Sequence, residues 1–225
     1  MIADSDQGPL TRFERRKRRT RLALIRAAQT FIATGQVGIP ILDITRAADV
    51  GMGSFYNHFS TKDELFAAAV ADVLDRYGAL LDELTHSIDD PAEAFAARFR
   101  LTGRLFRRRP IESGILLTSG VPMLSTEGGL AARALRDIVA ACAAGRFSVR
   151  DDAAAAVAVA GGALVGLGYL LHGDPERDDA LTSDAVTVDI LRIFGMSEVE
   201  AVRLCSMPLS DVDTLLKRWA DAPPD

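Results

Sequence analysis

Apolar positions along this chain recur at three- and four-residue spacings, and no stretch alternates as a half-buried strand would. The pattern predicts an all-α protein. A first helix is expected from Arg12 to Thr34. Its inner face carries Leu22, Ile25, Gln29 and Ile32, with Leu24, Ala28 and Phe31 alongside, and Gly35 acts as the breaker. Residues 41–48 form a short second helix that turns Ile41, Ile44 and Ala48 inward. Asp49 stands where the chain must turn sharply, and a short polar residue tolerates the left-handed conformation there. Val50 plugs the angle between the helices. Gly51 caps a third helix, Met52 to Phe59, on which Phe55 and Phe59 lie one turn apart and face the core. Thr61 followed by Glu64 is a capping box, opening a fourth helix that runs to about His86.

The remaining pattern is helical throughout. Pro91 opens a fifth helix ending near Arg108, where Pro110 enforces the stop. A short helix over 111–119, a loop over 120–128 and a helix over 129–144 follow. Residues 151–172 are very apolar, 182–194 form another helix, MSEVEAVRLC a short amphipathic one, and DVDTLLKRWADAPPD a last one. Three regions result: a disordered arm over 1–11, a small helical domain over 12–66 and a larger helical domain over 67–225. The uncharged run Ala153–Leu171 contains seven Ala and four Gly in 19 residues, a marginal length and a weakly hydrophobic composition that favour a packed helix over a membrane span. Its small residues Ala158, Gly162 and Gly166 instead let another helix approach closely.

Two short helices joined by a tight turn are the layout in which the second helix enters a DNA major groove. The polar residues of the third helix then acquire roles. Ser54 and Asn57, with backbone around Gly53, are placed nearest base edges, and Met52 is suited to a thymine methyl. Tyr56, His58 and Lys62 are expected on phosphate, as are Arg46 and the run Arg16–Arg19. Charge supports this reading, although the chain as a whole is acidic, with 26 Lys and Arg against 31 Asp and Glu. Residues 1–62 hold ten basic and five acidic side chains, leaving 16 basic against 26 acidic in the remainder. A basic head on an acidic body orients the molecule on a polyanion.

Catalytic chemistry finds no support in the sequence. The three histidines, 58, 86 and 172, are scattered, and no nucleophile–base, metal-ligand or phosphate-loop pattern stands out. Cys142 and Cys205 lack metal-ligand spacing and read as reduced residues of a cytosolic protein. No signal peptide is expected, since the first 20 residues are polar and then strongly basic. Neither enzyme activity, metal nor cofactor is predicted.

The run DITRAADVGMGSFYNHFSTKDELF resembles the DNA-binding signature of the tetracycline-repressor-like (TetR) family of bacterial transcription regulators. The match covers roughly residues 15–66. It departs at Asp49, where the family usually has Gly, at Gly51, where Ser or Thr is usual, and at Thr45, where Ala is common. The resemblance implies a cytoplasmic, dimeric, ligand-responsive regulator of palindromic operator DNA, most often a repressor. It implies that the body dimerises through 151–172 and 182–194, the latter offering Val186, Ile190, Leu191 and Ile193. It also implies an effector, by default a small hydrophobic molecule, which shifts the fourth helix so that the two heads leave major-groove register. Candidate pocket residues are Phe95, Phe99, Phe106, Met123 and Tyr169, with Arg104, His86 and His172 as polar anchors. The alternative is a regulator controlled by a protein partner, or one without an effector.

Overall fold

The computed structural model describes residues 11–119, 129–149 and 152–221. It contains eleven helices and no strand among those residues: α1 (Arg12–Ala33), α2 (Ile41–Ala47), α3 (Met52–Tyr56), α4 (Lys62–Thr85), α5 (Pro91–Arg108), α6 (Pro110–Ser119), α7 (Gly129–Ala143), α8 (Ala153–Gly173), α9 (Asp179–Ile193), α10 (Glu198–Ser206) and α11 (Val212–Asp221). The chain divides into two compact units, with the boundary between Asp72 and Val73. The expected loop over 120–128, and with it Met123, lies outside the described residues.

In the first unit, α1 begins at a reciprocal cap. Thr11 Oγ1 accepts from the Glu14 amide at 3.2 Å, and the Glu14 carboxylate accepts from the Thr11 amide at 2.7 Å. Thr11 therefore belongs to the helix start rather than to the arm before it. At the other end Gly35, with φ of 71°, closes a Schellman turn in which Gln36 N–H donates to the Phe31 carbonyl. Between these ends Leu24, Ile25, Ala28, Gln29 and Ile32 are buried. Gln29 is a polar member of that core, donating to the Ala69 carbonyl at 3.1 Å and to Asp72 at 2.7 Å.

The turn after α2 has the same construction with a different residue. Asp49 has φ of 54°, Val50 N–H donates to the Thr45 carbonyl, and Asp49 N–H donates to Arg46. An aspartate thus holds the left-handed position that glycine usually takes, as its short polar side chain permits. The third helix ends earlier than the pattern predicts, at Tyr56 rather than Phe59, with Asn57 as its C-cap. Asn is a poor helix former, and the chain must already bend toward α4. Phe59 still donates its N–H to the Phe55 carbonyl, so both rings stay buried, with centroids 6.1 Å apart. The cap of α4 also differs in detail. Thr61 Oγ1 accepts from the Glu64 amide as expected, but the Glu64 carboxylate reaches back to Ser60 N–H rather than to Thr61.

In the second unit α5 is central, packing on α6, α7, α8, α9 and α10. Its apolar face buries Phe95, Phe99, Leu105 and Phe106, and Phe95 joins Phe147 and Phe194 in a three-ring cluster. Arginines spaced by whole turns tie α5 to the elements around it. Arg100 and Arg104 both bind Asp184 of α9, Arg108 binds Asp179 and Asp213, and Arg107 donates to the carbonyls of Asp174 and Arg177. Gly103 lets α5 and α9 approach closely, because a Cβ there would stand 2.7 Å from Ser183 Cβ. Among the described residues α8 is the one helix long and apolar enough to cross a membrane by length and composition. It packs on α5, α6, α7 and α9 within the body.

Candidate nucleic-acid face and effector cavity

The helix-turn-helix sorts its side chains by solvent. Phe55 and Ile44 are fully buried and Phe59 is 1 % exposed, whereas Met52 is 38 % and Tyr56 59 % exposed. Gly53 and Asn57 are exposed, and Ser54 and His58 are half-buried. The predicted recognition residues therefore lie on the solvent side of a helix whose other side is core. Arg46 is exposed and pairs loosely with Asp43 at 3.6 Å. The run from Arg12 to Arg19 on α1 is exposed throughout. His58 lies within electrostatic reach of Lys17 and Arg21. Burial first, and then those two charges, hold its imidazole below the ordinary histidine range. Arg21 itself sits over the Phe59 ring at 4.9 Å, so the basic stretch of α1 flanks the C-terminal end of α3.

Lys62 has a different setting from the one expected. Its ammonium donates to the carbonyls of Val37 at 3.0 Å and Ile39 at 3.2 Å, and lies 5.8 Å from the Phe66 ring centroid. Two of its three donors thus close the α1–α2 linker onto the start of α4. The sequence shows no sign of this, because the partners are backbone atoms more than 20 residues away.

The body contains an apolar cavity of about 70 Å³. Three helices each contribute residues at i, i+3, i+4 and i+7-type spacings: Phe95, Arg98, Phe99 and Thr102 from α5; Leu130, Ala134 and Asp137 from α7; Val157, Ala160, Gly161 and Leu164 from α8. Leu81, Ala131 and Arg133 complete the wall. Of the residues named from the sequence, Phe95 and Phe99 line this cavity. Arg104, Phe106, Tyr169 and His172 are not among the lining residues. Arg104 lies half a helical revolution from Phe95, bound to Asp184 at 2.9 Å. Phe106 shares the face of Phe95 but lies about 16 Å farther along the helix, where its ring meets Gly168 and His172. Tyr169 is 59 % exposed, and its hydroxyl donates to the Leu117 carbonyl. His172 is exposed, its Nδ1 3.0 Å from the Gly168 carbonyl, and His86 is exposed as well. The polar lining is instead Arg98, Thr102, Arg133 and Asp137. Arg98 and Thr102 follow Phe95 by three and seven residues, and that spacing was the available signal.

Comparison with known proteins gives these two features a common setting. A model described as "Bacterial regulatory proteins, tetR family" matches residues 24–69. A second, "Tetracyclin repressor-like, C-terminal domain", matches residues 90–206, more than half of the chain. The chain belongs to the tetracycline-repressor family. Its helix-turn-helix and helical body are that family's two domains, and the family's members are DNA-binding regulators. Among solved structures, RolR in complex with resorcinol is 30 % identical, with a TM-score of 0.70, and the match covers 88 % of this chain and 99 % of RolR. TylP, a TetR regulator from Streptomyces fradiae, is 17 % identical with a TM-score of 0.61, over 91 % of this chain and 96 % of TylP. A gamma-butyrolactone receptor described as ArpA-like is 20 % identical with a TM-score of 0.57, over 85 % of this chain and 96 % of that one. The last two show the shared fold. A search of curated protein sequences found no match.

Proposed function

We propose that this TetR-family protein is a repressor that binds a palindromic operator as a homodimer and is released by a small-molecule effector held in the body cavity. The observation that carries the reading is the division of α3: Phe55 is wholly buried, while Met52, Gly53, Tyr56 and Asn57 face solvent. Residues that a packed core would not require in that order are presented together on one short exposed element. Ser54 and Asn57 are assigned to base edges, and Met52 with Gly53 to close groove contact. Tyr56, His58, Arg46, Arg16 and Arg19 are assigned to phosphate, with the third donor of Lys62 as an accessory.

Dimerisation is assigned to the outer faces of α8 and α9. Ala158, Gly162 and Gly166 are exposed on α8 next to Val159, Tyr169 and Leu170, and Leu181 is 71 % and Ile193 63 % exposed on α9. Ile190 and Leu191 belong to the core of the body instead, so the α9 contribution shifts to Leu181, Ala185 and Ile193. Two-fold pairing of this kind matches a palindromic site. The likeness to RolR, whose structure holds resorcinol, supports a one-ring effector. Emptying an operator that is 99 % occupied requires an effector to prefer the released state by about 10⁴-fold.

Footprinting on the DNA flanking the protein's own gene tests the reading. A protected palindrome, lost on adding effector, is the expected result. A protein that is monomeric and shows no salt-dependent DNA binding overturns it.

A further inference from the structure

The polar end of the cavity is more specific than its apolar walls. Arg98 divides its guanidinium between two carboxylates, Nη1 to Asp137 and Nη2 to Asp82 at 3.1 Å. Its Nε is buried without a partner. Asp137 receives Arg98 on Oδ2, while Oδ1 faces Arg136 at 3.8 Å, longer than a hydrogen bond. The Asp137 side chain is only 9 % exposed. Thr102 donates its hydroxyl proton to the Arg98 carbonyl at 2.8 Å, which leaves its oxygen as an acceptor. The cavity wall therefore combines residues carrying one unmet donor, Arg98 Nε–H, and spare acceptor capacity on Asp137 and Thr102. A buried polar group without a partner is costly, and the remedy is a ligand atom of complementary type.

We infer that this site selects a one-ring hydroxylated aromatic, whose hydroxyl accepts from Arg98 Nε and donates to Asp137. A hydroxyl is the small neutral group that does both at one atom. A hydrocarbon leaves Arg98 Nε unmet, a carboxylate meets the charge of Asp137, and an ammonium ion has no lone pair for Arg98. Size and shape restrict the rest of the molecule. An apolar cavity of about 150 Å³ takes up benzene, and this one, at about 70 Å³, must already yield at a wall for a single ring. Long acyl chains and fused rings are too large. The Phe95 and Phe99 rings, with centroids 6.3 Å apart, and the small walls at Ala131, Ala134, Ala160 and Gly161 leave a slot suited to a flat ring. The proposal rests on the sensor reading above for its biological meaning, but its chemistry is testable without DNA.

Calorimetric titration of the full chain with phenol, resorcinol, toluene, benzoate and octanoate decides it. Phenol and resorcinol are expected to bind at least about tenfold more tightly than toluene, phenol's isostere, since the difference is a hydrogen bond to charged groups. Benzoate and octanoate are expected to show no saturable binding. Asp137→Asn is expected to erase the preference for phenol over toluene. Because that change also disturbs the Arg98 pair, Ala160→Leu is the second variant: it alters no charge, fills the slot and is expected to abolish phenol binding. Toluene binding as well as phenol, benzoate or octanoate binding better, or Ala160→Leu retaining phenol affinity each overturn the inference. Operator binding by the same ligand-free preparation tests the regulator reading separately. Failure there with phenol binding intact sinks the function and spares the site.

Discussion

Replacing Lys62 with Met separates the phosphate role that the sequence assigns to this side chain from the linker contacts that only the fold gives it. Methionine keeps the unbranched apolar stem near Phe66 while removing the ammonium that donates to the Val37 and Ile39 carbonyls. A hydrogen bond from a charged group contributes about 1.5–3 kcal/mol when sheltered. Here one bond is exposed and the other partly buried, so solvent screening reduces the pair to about 1–2 kcal/mol in total. The stapled unit ends at Asp72. For a domain of that size each kcal/mol displaces Tm by about 4–8 °C. The N-terminal unit of Lys62→Met is therefore expected to melt about 5–15 °C lower, followed by circular dichroism or by hydrogen exchange of α1 to α3 amides. Operator titrations over a range of salt, at a temperature where both proteins are folded, read the other role. A lysine whose main duty is phosphate lowers the salt slope by about one when removed. With two of three donors already committed, a smaller change is expected. An unchanged melting profile accompanied by the loss of a full unit of slope would refute the reasoning.

Other perturbations reach separate parts of the molecule. His58 is held below its ordinary range, so it stabilises the fold above the unfolded histidine value of about 6.5, and this contribution fades as pH falls through that window. Operator phosphates oppose the influence of Lys17 and Arg21, so DNA affinity is expected to rise over the same fall in pH. Fluorescence anisotropy tests this, and equal pH slopes for wild type and His58→Gln would rule it out. Phe55→Ala removes a fully buried ring beside Phe59 and is expected to cost about 3–5 kcal/mol. DNA binding should disappear while ligand binding by the body survives, and retained operator affinity would contradict the assigned core. Gly103→Ala puts a methyl 2.7 Å from Ser183 Cβ. Overpacking of about 1–3 kcal/mol outweighs the roughly 1 kcal/mol helix-propensity gain, so calorimetry is expected to show a lower Tm; a rise would mean that α5 and α9 separate freely.

Local sequence determined that each helix among the described residues forms, because most helix starts and stops depend on neighbours within a few positions; the early stop of α3 at Tyr56 is a departure. Thr11 with Glu14, Thr61 with Glu64, Pro91 and Gly35 act at that range, and so does the left-handed Asp49. The exposed edge of α3 was legible for the same reason: Phe55 and Phe59 fix one face by their spacing, and the remaining residues have only solvent left. Tertiary structure decided what depends on distant partners. Lys62 finds two carbonyls in the α1–α2 linker, and Arg104 is drawn away from the cavity by Asp184, 80 residues along the chain. Arg98 becomes a cavity residue because Asp82 and Asp137 converge on it from two other helices. Periodicity states which side of a helix a residue occupies, but a charged side chain settles where its counter-charge and desolvation balance, and only the packed arrangement of α4, α5 and α7 supplies those terms.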